Sequence, residues 1–420
     1  MRIHSPFLIP LLIPFLAAPL AAQGGGTWTL HDGVSAPLGN HLDVKSISSA
    51  GDVDGDGRAD ILVGIPAYWD SNQPLVGTAI VYSGANGAVI HQLSNLAADE
   101  LGAAVSAVDD VDADGHADFL VGAPNHNAGS GMATLYSGAT GLPIRTMQGT
   151  GTGRMGHATL GIDDFDGDGI KDMLVSEPFL PPSGNGGQVH LYSGATGLSL
   201  LTLTAPQGAH GFGVQLAAGG DLDSDGVDEI LVMSAIDALT VKVEAYSLIS
   251  GQPLISFYAP YWPDFLPQTA LTTAGDLNQD GVDDIWVGVP RGDYFNPDDN
   301  GAIHAYSGAD GSLLRVILGP AGQGNFGESI IGNVDLNRDG HPDYIVGKPK
   351  GANPKVYAYS GADDSLLGFV QGVPDTLFAM SMAAVGDTDF DGYSEIAITA
   401  PYANSSGTTR GAILLLDFDR

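Results

Sequence analysis

The chain contains no cysteine, so disulfides are excluded and any cross-link in the fold must have another chemistry. Positive charge is scarce: 15 Lys and Arg stand against 49 Asp and Glu, for a formal net charge of −34. That balance argues against nucleic acid and anionic membrane surfaces as partners and favours cations. Charged residues make up only 15% of the chain while hydrophobic ones make up 44%, which points to a packed core rather than disorder. After the first 22 residues no stretch is long and apolar enough to cross a bilayer, and membrane insertion is not expected. No convincing amphipathic helix is present either. What is abundant is glycine, at 60 residues of 420, together with aspartate.

Residues 1–22, MRIHSPFLIPLLIPFLAAPLAA, place Arg2 before an apolar stretch from Phe7 to Leu20 and end in small residues. This is the pattern of a secretory signal, with cleavage expected near Ala22. Pro10, Pro14 and Pro19 and the short length argue against a spanning helix. A short linker, 23–26, follows, and 27–420 reads as one unit. A secreted or cell-envelope location is expected.

That unit is written seven times. The stretch GDVDGDGRADILVGIP, Gly51 to Pro66, has six later counterparts, beginning at Asp110, Asp164, Asp221, Asp276, Asp335 and Asp387. The spacings, counted from Asp52, are 58, 54, 57, 55, 59 and 52 residues, the signature of a repeat architecture. Each acidic loop is followed by a short apolar run such as ILVGIP, FLVGAP or YIVGKP. A second run then leads into a turn such as YSGANG or YSGATG, and a third follows the turn. Another run precedes the acidic loop. Runs of four to eight residues bounded by Gly, Pro, Asn and Asp read as strands, and the Ser-Gly turns as tight hairpins. Four antiparallel strands per unit, here called A to D, seven units and no helices predict an all-β fold, a seven-bladed β-propeller. A β-helix would repeat at a much shorter period. The seventh unit ends after its C strand, GAILLLDFD, so the N-terminal TWTLHD is expected to pair beside Ile413–Phe418 and close the ring.

The aspartates occupy fixed offsets. Positions 1, 3, 5 and 9 of each loop carry side-chain oxygens, and position 6 is always glycine. These residues are Asp52, Asp54, Asp56 and Asp60; Asp110, Asp112, Asp114 and Asp118; Asp164, Asp166, Asp168 and Asp172; Asp221, Asp223, Asp225 and Glu229; Asp276, Asn278, Asp280 and Asp284; Asp335, Asn337, Asp339 and Asp343; and Asp387, Asp389, Asp391 and Glu395. They account for 26 of the 49 acidic residues. Two like charges 4 Å apart repel by about 4 kcal/mol at an effective dielectric near 20, so such crowding calls for a cation. Calcium takes six to eight oxygens from a loop that turns sharply at glycine, and position 7 can add a backbone carbonyl. An Asp-Gly turn explains one Asp and one Gly, not four oxygen ligands repeated seven times. Up to seven Ca2+ ions are therefore expected. The loop does not continue as an EF-hand, because a strand follows and position 12 is Val63 or Val121.

Phe212-Gly213 and Phe326-Gly327 before the loop, the loop itself, and Gly122-Ala123-Pro124 after it together resemble FG-GAP repeats. The resemblance covers residues 27–420. It implies the seven-bladed propeller found at the head of integrin α-subunits and in many secreted bacterial proteins, with calcium in the A–B hairpin loops. Integrin heads carry the calcium loop in only some blades, whereas all seven carry it here. Phe-Gly is missing before Asp52, Asp276 and Asp387, and blade 4 reads VMSA in place of Gly-x-Pro. Asn278 and Asn337 lower the site charge in blades 5 and 6. With no leg domains or membrane span after the repeats, an integrin-like receptor pairing is not implied, and a monomer is expected.

The A–B and C–D loops of a propeller share one face. The resemblance makes the other face the usual ligand surface. Tyr261, Trp262 and Phe265 fall in the D–A connection into blade 5, with Tyr258 at its start, and Arg291, Tyr294 and Phe295 fall in that blade's B–C loop. Blade 6 adds Lys348 and Lys350, with Lys355 nearby. An aromatic and basic patch is expected there, suited to sugar rings or an anionic group. The plainer alternative is aromatic packing in a widened seam between blades. Arg291-Gly292-Asp293 matches an adhesion tripeptide but is ordinary in a chain so rich in Gly and Asp. No nucleophile–base pair is visible. The reading is a non-catalytic binding or adhesion module for protein or glycan. The alternative is a sugar-active enzyme such as a polysaccharide lyase on the same scaffold.

Overall fold

Short β-branched runs punctuated by glycine turns assemble four at a time. A computed structural model describes residues 27–35, 44–66, 77–94, 99–179, 186–237, 240–260, 270–290, 300–321, 324–388, 390, 394–401, 404–405, 408–409 and 412–419. Its strands form seven four-stranded antiparallel sheets in a ring, a seven-bladed β-propeller. Blade 2 is representative: Val105–Asp109, Asp118–Ala123, Met132–Tyr136 and Pro143–Gln148 pair in chain order. Blade 4 has the longest strands, His210–Gly220, Glu229–Asp237, Thr240–Tyr246 and Pro253–Pro260. Among the described residues helix is confined to four, His126–Gly129, two of which lie at positive φ.

Closure follows the sequence expectation. Thr27–Ser35 pairs antiparallel with Ala412–Asp419, setting Trp28 opposite Phe418 and Val34 opposite Ile413. The last sheet therefore combines the first strand of the unit with the final three. The A strand of blade 1, Ser46–Gly51, packs against the A strands of both blade 2 and blade 7, Met382–Gly386. A small hairpin, Asn404–Ser405 with Thr408–Thr409, decorates the B–C connection of blade 7.

The core is divided among the seams. Among the described residues seven apolar clusters occur, each spanning two neighbouring blades. One joins Phe119 and Val121 to Leu62 and Val81, and another joins Ile396 and Leu414 to Ile345 and Val356. Every B strand is sandwiched by sheets on both sides. The B strands of blades 1, 2, 3, 5, 6 and 7 are buried over six consecutive residues, which is why they read as continuous apolar runs rather than alternating ones.

The two glycines of the repeat meet across a seam. A Cβ on Gly122 would sit 2.0 Å from the carbonyl oxygen of Gly156 in the next blade. Gly64 and Gly102 stand in the same relation at 2.1 Å, as do Gly288 and Gly327. The second glycine of each pair lies at φ +88, +83 or +92. Its own N–H turns back to its own blade, as when Gly102 donates to the Gly122 carbonyl at 2.9 Å. So the Gly before Ala-Pro is small to admit a neighbour, and the Gly after Phe is needed for its backbone conformation. In blade 7 Phe378-Ala379 fills the slot that the sequence reading left empty, with Ala379 at φ +67.

Gly122→Ala should therefore destabilise the ring by roughly 1–3 kcal/mol, the usual range for overpacking. Urea unfolding of the full chain measures it, and a variant as stable as the parent would remove the lock.

Candidate metal-binding loops

Each A–B loop is shaped by its own carboxylates. In blades 1 to 6 the position-1 Asp accepts the N–H of the position-6 glycine: Gly57 to Asp52 at 2.9 Å, Gly115 to Asp110 at 2.8 Å, Gly169 to Asp164 at 2.7 Å, Gly226 to Asp221 at 3.1 Å, Gly281 to Asp276 at 2.9 Å and Gly340 to Asp335 at 3.0 Å. The position-5 Asp accepts the N–H of position 7, as in His116 to Asp114 at 3.0 Å and Val282 to Asp280 at 2.9 Å. Position 3 takes the position-5 N–H, with Asn278 and Asn337 using their carbonyl oxygens in the same way. These bonds wind the loop so that its side chains point inward.

Carboxylate oxygens converge as a result. Asp52, Asp54 and Asp56 bring one oxygen each within 4.8 Å of one another. The same holds for Asp110, Asp112 and Asp118, for Asp164, Asp166 and Asp172, and for Asp221, Asp223 and Asp225. In the first loop Oδ1 of Asp52 is buried and accepts no hydrogen bond. Clustered acidic oxygens, one of them buried with an open lone pair, fit a divalent cation. Loops 5 and 6 keep the same turn with one carboxylate fewer. In loop 7, Asp389 and Asp391 lie outside the described residues.

Position 9 has a second task that the sequence reading missed. Asp60 is fully buried; its Oδ2 accepts the N–H of Val53 at 2.8 Å and its Oδ1 that of Gly84 at 3.0 Å. Asp118 does the same with Val111 and Gly138, both at 2.8 Å. Asp172, Asp284 and Asp343 repeat the pair of bonds. Position 9 thus ties the A–B loop to the Ser-Gly turn of the C–D hairpin and sets both at one pole. Burial pushes the carboxyls of Asp60, Asp118, Asp284 and Asp343 up to about 6, and Glu229 to about 7, against the pull of the backbone donors.

Neighbouring loops touch. The ring of His116 meets the Val53 carbonyl of the preceding loop at 2.8 Å, and Ala117 N–H donates to the Asp52 carbonyl. Lys171 lies between Asp109 and Asp163, at 3.5 and 3.4 Å. The site is therefore a linked crown of loops.

On the opposite pole the expected patch is only partly described. Tyr261, Trp262, Phe265, Arg291, Tyr294 and Phe295 lie outside the described residues. Lys348 is buried, 6% exposed, its stem against Gly324, and burial lowers its pKa. Lys350 is half-buried, and the Lys355 ammonium lies 3.9 Å from the Phe369 ring centroid. An ion pair between Arg154 and Glu100 and a 2.7 Å contact between His126 and Asp99 mark the same pole.

The fold and crown define a class: a seven-bladed propeller with acidic A–B loops gathered at one pole. A family model described as FG-GAP repeat matches residues 46–73, 101–136, 269–306 and 378–416. Integrin alpha pat-2 of Caenorhabditis briggsae is 29% identical over 235 residues, covering 48% of this chain and 18% of that protein. Integrin alpha-5 of Xenopus laevis is 28% identical over 212 residues, covering 45% and 19%. Integrin alpha-6 of Gallus gallus is 32% identical over 134 residues, covering 29% and 12%. The chain thus spans less than a fifth of the length of these relatives. On this fold the chain is similar to FG-GAP repeats over stretches of four blades and to integrin α chains over less than half of its length.

Asp118→Ala should leave the Val111 and Gly138 N–H groups buried without an acceptor. A loss of about 2–4 kcal/mol is expected even in chelator, because each unmet buried donor costs about 1–3 kcal/mol. Denaturant unfolding in metal-free buffer reads it; a loss seen only with metal present would reduce Asp118 to a ligand.

Proposed function

We propose that this chain is a secreted, calcium-stabilised propeller that works as a non-catalytic binding or adhesion module. The observation that carries the reading is the match to integrin α chains on a closed seven-bladed ring whose acidic loops form a cation crown. Calcium suits the donors: hard carboxylate and amide oxygens on loops that bend at glycine, with a capacity of up to seven ions. Extracellular modules bind calcium at about 10⁻⁴ to 10⁻³ M. At tenfold excess over the dissociation constant each ion adds roughly 1.4 kcal/mol. Seven such terms approach the stability of a whole domain, and so replace the disulfides that the sequence forgoes.

A rigid ring leaves its opposite pole free to present variable loops. A protein ligand is the first choice, after the integrin likeness. Glycan is the second, for the aromatic residues of the loops around 261–269 and 291–299. Among the described residues no helix is long and apolar enough to cross a membrane.

Two measurements test this. Removing divalent cations should lower the melting temperature by on the order of 10 °C, and calcium should restore it. A scan unmoved by chelator would count against structural calcium. Arrays of glycans and extracellular proteins, probed with the full chain in calcium and in chelator, should show calcium-dependent binding without turnover. Release of unsaturated sugars, abolished in Lys350→Ala, would make the chain a lyase instead.

A further inference from the structure

The D strand is the outer edge of every blade, and its outward-facing backbone groups have no partner in the sheet. Proteins guard such edges with charge, with proline or with polar residues on the open face. Here the repeat lets one edge be compared with another. On the face turned toward the preceding blade, the middle and end of the strand carry Gln92 and Ser94 in blade 1, Thr146 and Gln148 in blade 2, and Thr202 and Thr204 in blade 3. In blade 4 Pro253 and Pro260 bracket the strand. In blade 6 the Lys355 ammonium covers the Phe369 ring, 3.9 Å from its centroid.

Blade 5 has none of these guards within its edge strand, Leu313–Leu318. The strand presents Leu313, Val316 and Leu318, which are 53%, 45% and 75% exposed. They lie opposite Tyr306, His304 and Ala302 and so share one face of the sheet. The strand's single charge is turned away: the Arg315 guanidinium donates to the Gly361 and Leu277 carbonyls and to Asp364, each at 2.9 Å. Gly319 donates inward to the Gly301 carbonyl at 2.8 Å, so by the alternation of an antiparallel ladder Val316 and Leu318 turn their own N–H and C=O groups outward. Exposed aliphatic side chains and outward backbone groups thus belong to the same two residues.

We infer that this edge pairs with the same edge of a second copy of the chain, joining two blade 5 sheets into one of eight strands. Antiparallel pairing about a two-fold axis at Ile317 sets Val316 of each copy opposite Leu318 of the other. It pairs the outward backbone groups and gathers four exposed aliphatic side chains on one face. Charge selects the direction. The D strands run away from the acidic pole, so antiparallel pairing sends the two acidic crowns to opposite ends, whereas parallel pairing sets them side by side. With a net charge of −34 on each chain the parallel arrangement is disfavoured. A charged partner segment would find no counter-charge on this edge, since Arg315 is already bound, whereas the edge is its own apolar complement. One strand pair is a small interface, so the association is of micromolar strength, in place of the monomer expected from the sequence.

Sedimentation of the full chain at physiological salt, over concentrations that bracket the micromolar range, should show one chain giving way to two and no larger species. Val316→Thr with Leu318→Gln, which gives blade 5 the residues of blade 2, should weaken the association by about tenfold and leave the melting temperature unchanged. Leu318→Lys alone should do the same. Val89→Lys, on the edge of blade 1 and 43% exposed, should change nothing. Because the chain has no cysteine, Ile317→Cys can cross-link only across the two-fold axis, and mild oxidation should give covalent dimers. A chain that stays monomeric, that grows into open-ended assemblies, or that associates as well with Leu318→Lys as without it overturns the inference. Capture of a different partner by a monomeric chain overturns it too.

Discussion

Repulsion between carboxylates held a few ångströms apart is the constraint on which the molecule turns. The loops do not relieve it by spreading. They draw the acids closer, using N–H groups of positions 5, 6 and 7 as fixed partial positive charges around positions 1, 3 and 5. Such dipoles soften the crowding without cancelling it. The remaining charge is a standing free-energy reserve that a bound divalent ion would convert into stability. Position 9 passes that stability to the rest of the blade. Its carboxylate grips the A–B loop with one oxygen and the C–D turn with the other, so an ordered loop also orders the outer hairpin.

The two poles use different physics. At the acidic pole, loops are joined by charge and backbone hydrogen bonds, with His116 reaching from one loop to the next. At the other end of three seams the lock is steric, two glycine backbones meeting where no side chain fits, as with Gly64 and Gly102, Gly122 and Gly156, and Gly288 and Gly327. Between them lie apolar clusters shared by adjacent sheets, none belonging to one blade alone. A propeller blade therefore cannot complete its core by itself. Closing the ring with Thr27–Ser35 matters for the same reason, since it covers the last C strand that would otherwise be an open edge.

Much of this was legible in the sequence. Strand runs and turn residues are local signals, and seven in-phase copies amplify each of them. The count of blades, the strand order and the closing strand all follow from that repetition. The features that stayed hidden depend on contacts remote in the chain. The link from Asp60 to Gly84 spans 24 residues, and the approach of Gly122 to Gly156 crosses a seam. Position 4 of the loop is another case. It lies at positive φ even as Ala113, Ser224, Gln279, Arg338 and Phe390, residues that give no such hint by type. The surrounding Asp-to-backbone bonds impose that conformation. Lys348 misled for a related reason: at the end of a B strand its long stem is buried beneath the neighbouring connection.

Blade 4 departs from the repeat at both poles, and the departures belong together. Its B strand has Met233 in the slot that holds Gly64, Gly122, Gly288 and Gly347 in blades 1, 2, 5 and 6, and no Phe-Gly precedes the A strand of blade 5. That seam is held instead by longer strands and by Phe257 stacked on Tyr306, with centroids 4.0 Å apart and planes at 15°. The Tyr306 hydroxyl also donates to the Tyr258 carbonyl. Phe257 and Tyr306 stack near the acidic pole, where Tyr306 lies opposite Ile285, and at that same pole Leu248 and Glu229 replace the glycine turn. Where side chains take over from glycine, the blade gives up a tight backbone fit for bulk and charge.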